Sequence, residues 1–190
     1  MRQFLILSVV SFLLLSTAQA EERAQFTEGA QKVGFYAAIG TGMMFFTGSD
    51  RLSFEDGWSV SIKAGYDFLK YFGVEGLFRT SGHESNVATI SPGVQPSFFG
   101  YQFGLLGKVA YPVTRRLYLG MGAGGGFWYT KPNAKPLIGT GSRGMFIVEA
   151  SVEYFLRTKG LSIGFDPSVM AVKDFKSVLM TTTGFIRHTF

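Results

Sequence analysis

From Trp58 to Phe68 the chain alternates without an error. Trp58, Val60, Ile62, Ala64, Tyr66 and Phe68 fall on one face, and Ser59, Ser61, Lys63, Gly65 and Asp67 on the other. Successive side chains of a strand point to opposite sides, so a period of two over eleven residues predicts a strand with one apolar and one polar face. The pattern recurs from Phe99 to Tyr111, where Phe99, Tyr101, Phe103, Leu105, Val109 and Tyr111 oppose Gly100, Gln102, Gly104, Lys108 and Ala110. Phe146, Val148, Ala150, Val152 and Tyr154 oppose Glu149, Ser151 and Glu153; Leu161, Ile163, Phe165 and Val169 oppose Ser162, Gly164, Asp166 and Ser168. Looser alternation covers Phe35–Phe46, Phe72–Thr80, Leu117–Tyr129 and Val178–Phe190. Each of these eight segments is close to the roughly 9–11 residues that a tilted strand needs to cross a bilayer core.

The connections alternate as well. Short links are expected at Leu69–Lys70, Pro112–Arg116 and Leu156–Gly160, and longer ones at Thr47–Gly57, Ser81–Pro96, Lys131–Gly144 and Lys173–Ser177. Short turns at one end and long loops at the other belong to an up-and-down barrel, with both termini at the short-turn end. Aromatic residues gather at the two ends of the segments. Phe68, Tyr71, Tyr111, Tyr154, Phe155 and Phe190 stand near the short turns, and Phe45, Phe46, Trp58, Phe99, Trp128, Tyr129 and Phe146 near the long loops. Two such bands match the girdles of a membrane barrel, whose amphipathic rings sit at headgroup level.

Alternation alone does not say which face is inside. A soluble barrel turns its apolar residues inward. Here the apolar face is bulky, drawn from 20 Phe, 8 Tyr and 2 Trp, whereas the polar face is rich in glycine, including Gly120, Gly122, Gly124 and Gly126 in one segment. Small residues on the polar face leave room for long charged side chains from facing strands. The apolar face is therefore expected to meet lipid, and the polar face to fill the lumen.

The first twenty residues read as an export signal. Met1-Arg2-Gln3 gives a positive start, Phe4–Leu15 an apolar run, and Ala18-Gln19-Ala20 a small-residue site, so cleavage is expected after Ala20. Residues 21–32 then form a periplasmic arm and 33–190 the barrel domain. No later run approaches the eighteen apolar residues of a spanning helix.

The chain resembles the small eight-stranded outer-membrane β-barrels, the superfamily of the OmpA transmembrane domain, over essentially all of residues 33–190. The resemblance rests on the strand pattern and on the C-terminal residues. Such proteins end in an aromatic residue preceded by alternating apolar ones, and Phe190 and Ile186 fit, with His188 standing where an apolar residue is usual. The resemblance implies that Ile186 and Phe190 are read by the barrel-assembly machinery. A narrower stretch, Val152–Asp166, is similar to a hairpin of adventurous-gliding-motility outer-membrane proteins.

If the polar face is internal, Lys63, Arg79, Lys108 and Arg187 meet Asp67, Glu75, Glu149, Glu153 and Asp166 in the lumen. An eight-stranded barrel is only wide enough for side chains to fill it, so a solid polar core of ion pairs is expected instead of a pore. Each buried charge should find a partner, because an unpaired one costs several kcal/mol. A channel for small hydrophobic molecules would need a lateral opening between strands, and Pro167 is the one feature that weakens pairing.

Catalytic constellations are scarce. Without cysteine there is no disulfide, thiolate metal site or cysteine nucleophile, and two histidines, His83 and His188, cannot build a multi-histidine metal centre. Ser81–Asn86 places His83, Ser85 and Asn86 at the start of a loop, a local pattern similar to outer-membrane enzymes that hydrolyse lipid A acyl esters; no neighbouring glutamate is an evident orienter. Asp50, Glu55 and Asp56 read as solvated carboxylates before they read as a calcium site. No cofactor is expected.

The formal charge of +5 does not point to nucleic acid. It gathers in the short turns, at Lys70, Arg115, Arg116, Arg157 and Lys159, where phospholipid phosphates lie. In the third long loop Lys131, Lys135 and Arg143 are candidates for contact with lipopolysaccharide phosphates. The expected role is non-enzymatic: envelope structure, or presentation of outer loops to an envelope, adhesion or motility partner.

Overall fold

The computed structural model describes residues 33–48, 54–69, 71–84, 97–131, 142–158, 160–175 and 178–190. The export signal, the N-terminal arm, Lys135, Ser85, Asn86, Asp50, Lys70 and Lys159 lie outside the described residues. Eight strands follow one another: β1 (Gly34–Phe46), β2 (Gly57–Asp67), β3 (Phe72–Glu84), β4 (Ser97–Pro112), β5 (Leu117–Lys131), β6 (Arg143–Phe155), β7 (Leu161–Val172) and β8 (Val178–Thr189). Each pairs antiparallel with its sequence neighbours, and β8 pairs back onto β1 to close the barrel.

The register fixes the tilt. Following partners around the barrel from Tyr36 leads through Gly65, Glu75, Leu106, Gly124, Ile147, Met170 and Leu179 to Phe46, ten positions farther along β1. A stagger larger than the strand number inclines the strands steeply to the axis and sets the bore. A bore of this size is filled by side chains.

Short turns close the end that holds the chain terminus. Between β2 and β3, Phe72 N–H donates to Leu69 O at 3.3 Å; between β4 and β5, Leu117 N–H donates to Thr114 Oγ1 at 3.0 Å. Between β6 and β7, Gly160 adopts φ of 72°, a conformation that favours glycine. Phe190 N–H donates to Phe35 O at 2.9 Å and ties the terminus to β1.

Outward residues are apolar around the whole circumference, among them Phe35, Ile62, Leu105, Met121, Phe146, Phe165 and Ile186. A soluble chain does not leave such a continuous apolar surface exposed, whereas lipid solvates it. Gly120, Gly122, Gly124 and Gly126 of β5 face inward. Gly124 and Gly126 also allow a close approach to β4, since a Cβ at either would run into the carbonyl oxygen of Leu105 or Phe103.

Two expectations need correction. β3 continues to Glu84, so Ser81–Glu84 is strand and not loop. Phe46 and Trp128 do not belong to the outer girdle, for both are buried inside the barrel. Pro167 leaves the register intact. It sits opposite Thr182 of β8, and the β6–β7 ladder skips Ala150 and Ser151 but resumes at Val152 opposite Phe165 in the same register. The missing proline N–H accounts for the skipped rung.

Candidate functional site

The interior divides into storeys. At the short-turn end Arg187 of β8 lies between two carboxylates, pairing with Asp67 of β2 and, Nη1 to Oε2 at 3.2 Å, with Glu153 of β6. Its guanidinium stacks 3.6 Å from the centre of the Tyr36 ring, and Ser162 donates to Glu153. A planar guanidinium suits both contacts, since it offers donors at its edge and a face to the ring.

One storey further in, Lys63 of β2 serves three strands. Its Nζ lies 2.7 Å from Asp166 Oδ2, 2.9 Å from Glu149 Oε2 and 3.2 Å from Glu75 Oε1. Lys108 of β4 reaches the same group, 2.9 Å from Glu75 Oε2 and 3.7 Å from Glu149 Oε1. Tyr36 joins the storeys by donating its hydroxyl to Glu75 Oε2 at 2.9 Å. Gly122 makes the space: a Cβ there would meet Glu149 Cγ at 3.1 Å. Eight of the nine charged residues named from the sequence thus fall into two connected networks.

Arg79 is the ninth, and it differs. It is 0 % exposed, yet no carboxylate lies within salt-bridge distance among the described residues. Its Nη1 contacts Ser168 Oγ at 3.3 Å and Met170 Sδ at 3.8 Å, while Nε and Nη2 have no hydrogen-bond partner. The expectation that every lumen charge is paired fails here, because β3 carries Arg79 beyond the carboxylate storey and into the apolar one.

Beyond the carboxylate storey the lumen is largely apolar, although Ser59, Ser81, Gln102 and Thr130 are also buried there, which corrects the expected solid polar core. Met44, Phe46, Phe54, Leu77, Phe98, Leu106, Trp128, Met145, Ile147, Met170, Val172 and Leu179 form one buried cluster that closes the long-loop end, with Phe175 packed against it. Trp128, 1 % exposed, has its ring 4.7 Å from that of Phe175, and Phe54 lies 5.0 Å from Phe46 and 5.5 Å from Phe98. Gly100 makes room for the indole, since a Cβ there would meet Trp128 Nε1 at 2.7 Å. Burying side chains of this size favours the closed state by about 1.5–3 kcal/mol each.

The sequence did hold a signal for these inward residues. Met43–Met44, Phe45–Phe46, Phe98–Phe99, Phe127–Trp128 and Met145–Phe146 are adjacent bulky pairs, and on a strand one member of each must face inward.

His83 belongs to this inner cap. It is 3 % exposed, with Nε2 2.9 Å from Ser81 Oγ, Nδ1 3.2 Å from Glu55 O, and its ring between Phe46 and Phe98. Its serine partner among the described residues is Ser81, itself fully buried. His188 lies near the opposite end, its ring 4.9 Å from that of Phe190. Ile186 and Phe190 project outward at the short-turn end.

At the outer rim the charges separate by side. Glu55, Asp56 and Glu84 crown β2 and β3, whereas Lys131 and Arg143 end β5 and begin β6. Lys131 is exposed. Arg143 is engaged, with Nε 3.8 Å from Asp174 Oδ2 and its guanidinium 5.6 Å from the Phe175 ring centre. No group of metal-ligating residues occurs among the described residues.

A family model for the outer membrane protein β-barrel domain matches residues 7–177. Among solved structures the chain is similar to Neisserial surface protein A, at 16 % identity with a TM-score of 0.62, covering 86 % of this chain and 100 % of that one. It is similar to OprG of Pseudomonas aeruginosa, at 10 % identity with a TM-score of 0.58, covering 85 % and 99 %. Ail, the attachment invasion locus protein of Yersinia pestis, matches at 12 % identity with a TM-score of 0.55, covering 84 % and 100 %. Comparison with curated proteins finds no match. The likeness of the Val152–Asp166 hairpin to gliding-motility proteins has no counterpart among these matches.

Proposed function

The chain belongs to the outer membrane protein β-barrel family, an integral component of the outer membrane, and from that premise we propose that it is a non-enzymatic, non-conducting barrel that presents its outer loops for surface interaction. The observation that carries this is the filled interior. Two ion-pair networks occupy the short-turn half and an apolar, aromatic cap the long-loop half, so the barrel serves as a rigid pedestal. What remains for recognition is the rim and the segments that follow β1, β3 and β5. Loops carried on such a scaffold are free to take up binding roles without disturbing the fold.

Two of the similar proteins carry names that accord with a surface role, a Neisserial surface protein and an attachment protein. Exposure of Lys131 at the rim supports contact with lipopolysaccharide phosphates, and in the sequence Lys135 extends the same basic segment. Ile186 and the terminal Phe190 serve the barrel-assembly machinery, and residues 1–20 export the chain and are cleaved after Ala20.

The test replaces residues 49–53, 85–96 and 132–141 with short glycine–serine turns in the cell. The barrel should still insert and leave detergent resistance unchanged, while attachment to surfaces or capture of an envelope partner is lost. Attachment and capture that persist in the loop-replaced protein would refute the proposal.

A further inference from the structure

Part of the mouth of the barrel is stopped by a piece of the chain that sits there as a ligand would. Asp174 and Phe175 follow β7, and Phe175 lays its ring on the cap, 4.7 Å from the Trp128 ring and 6.4 Å from those of Phe46 and Phe54. Arg143, at the start of β6, serves both residues. Its Nε lies 3.8 Å from Asp174 Oδ2, and its guanidinium 5.6 Å from the centre of the Phe175 ring. One arginine thus holds a carboxylate and the aromatic face next to it, two contacts that its planar fork makes together.

The hold on this dipeptide is weak at both residues. Asp174 has φ of 69°, the one positive value among the described non-glycine residues, in a region that side chains disfavour. Its side chain is 62 % exposed, so water screens the pair with Arg143. Phe175 is only partly buried, whereas Trp128 and Phe46 beneath it are fully buried. When Asp174 and Phe175 swing away they leave a pocket of the size of the Phe175 ring itself. Trp128, Phe46 and Phe54 wall it and Arg143 edges it, while the rest of the cap still shuts the bore.

We propose that this pocket docks a partner protein presenting a carboxylate beside an aromatic side chain, and that Asp174–Phe175 is its built-in competitor. The inference rests on the reading of the outer end as a recognition surface and gives that surface its chemistry. The partner's ring replaces Phe175 on Trp128, and its carboxylate replaces Asp174 on Arg143. A ring without the acid leaves the guanidinium unmatched, and an acid without the ring leaves the aromatic floor uncovered. Because the chain's own dipeptide must yield first, the apparent affinity falls by the fraction of molecules in which the pocket is open.

Fluorescence reads occupancy directly, since Trp58→Phe leaves Trp128 as the only tryptophan. In the full-length protein with that change, in phosphocholine vesicles, a blocked peptide containing Asp-Phe should shift the Trp128 emission saturably. Phe175→Ala should lower the half-saturating concentration by about tenfold or more. Asp174→Asn, which keeps the ring and releases Arg143, should lower it by a smaller factor and serves alone if Phe175→Ala does not insert. Adding Arg143→Gln should bring the Asp-Phe curve onto that of an Asn-Phe peptide. Absence of a saturable response once the competitor is weakened would overturn the proposal, as would a half-saturation that neither variant moves. An Asn-Ala peptide that acts as well as Asp-Phe would also overturn it. Attachment that still depends on the outer loops after such a result would leave the surface role standing and strike the pocket alone.

Discussion

Lys63 on β2 reaches across the barrel to Asp166 on β7, Nζ to Oδ2 at 2.7 Å, while also holding Glu149 of β6 and Glu75 of β3. One ammonium therefore bridges four strands through the middle of the bore. Lys108 reaches Glu75 and Glu149 but forms no salt bridge with Asp166. Lys63→Met leaves a buried carboxylate without its cation and should destabilise the barrel by about 3–5 kcal/mol. Urea titration in vesicles, followed by the mobility of the folded form on gels, measures this. Adding Asp166→Asn should recover part of the loss.

Arg79 predicts a contrasting result. Its guanidinium is buried without a carboxylate in salt-bridge range, and two of its nitrogens lack hydrogen-bond partners. Replacing such a group by an apolar side chain of similar length removes a desolvation penalty that the more distant carboxylates of Asp166, Glu149 and Glu75 offset only in part. Arg79→Met should be neutral or stabilising, and at least about 2 kcal/mol less costly than Lys63→Met in the same titration.

The period of two made the eight strands, their order and the lipid-facing surface legible, because it reports which residues share a side. It also puts the nine lumen charges on the polar face. It could not rank the storeys within the lumen, since height depends on the stagger between strands, and stagger follows from pairing and not from any one strand. That is why Arg79 looked like one more member of a paired set. Trp128 and Phe46 read as girdle residues for a related reason: an aromatic near a strand end suits the membrane interface, and only its parity with the adjacent Phe127 or Phe45 shows that it faces in. The run Ser81–Asn86 is polar and holds a glycine, which reads as a loop, yet the alternation of Ser81 and His83 on one face continues β3 to Glu84.

The inward assignment of Trp128 has its own test. Trp128→Ala removes a side chain that is 1 % exposed within the aromatic cap and should cost about 3–5 kcal/mol. Trp58→Ala, on the lipid side, should cost markedly less. Equal costs in urea titration would contradict the inside–outside distinction between the two tryptophans.

Glycine on β5 supplies a fourth prediction. A Cβ at Gly124 or Gly126 would meet the backbone of β4, which cannot swing aside as a side chain can. Gly124→Ala and Gly126→Ala should each destabilise the barrel by about 1–3 kcal/mol. Gly144→Ala is the control, since no atom lies within 4 Å of the added carbon. It should leave the urea midpoint unchanged.

The central claim is that the bore is shut by two ion-pair networks and an apolar cap. Conductance of the purified full-length protein in planar bilayers tests it most directly. The filled lumen predicts no steady current above the bare-bilayer background. A steady, ion-selective conductance that scales with inserted protein would contradict it.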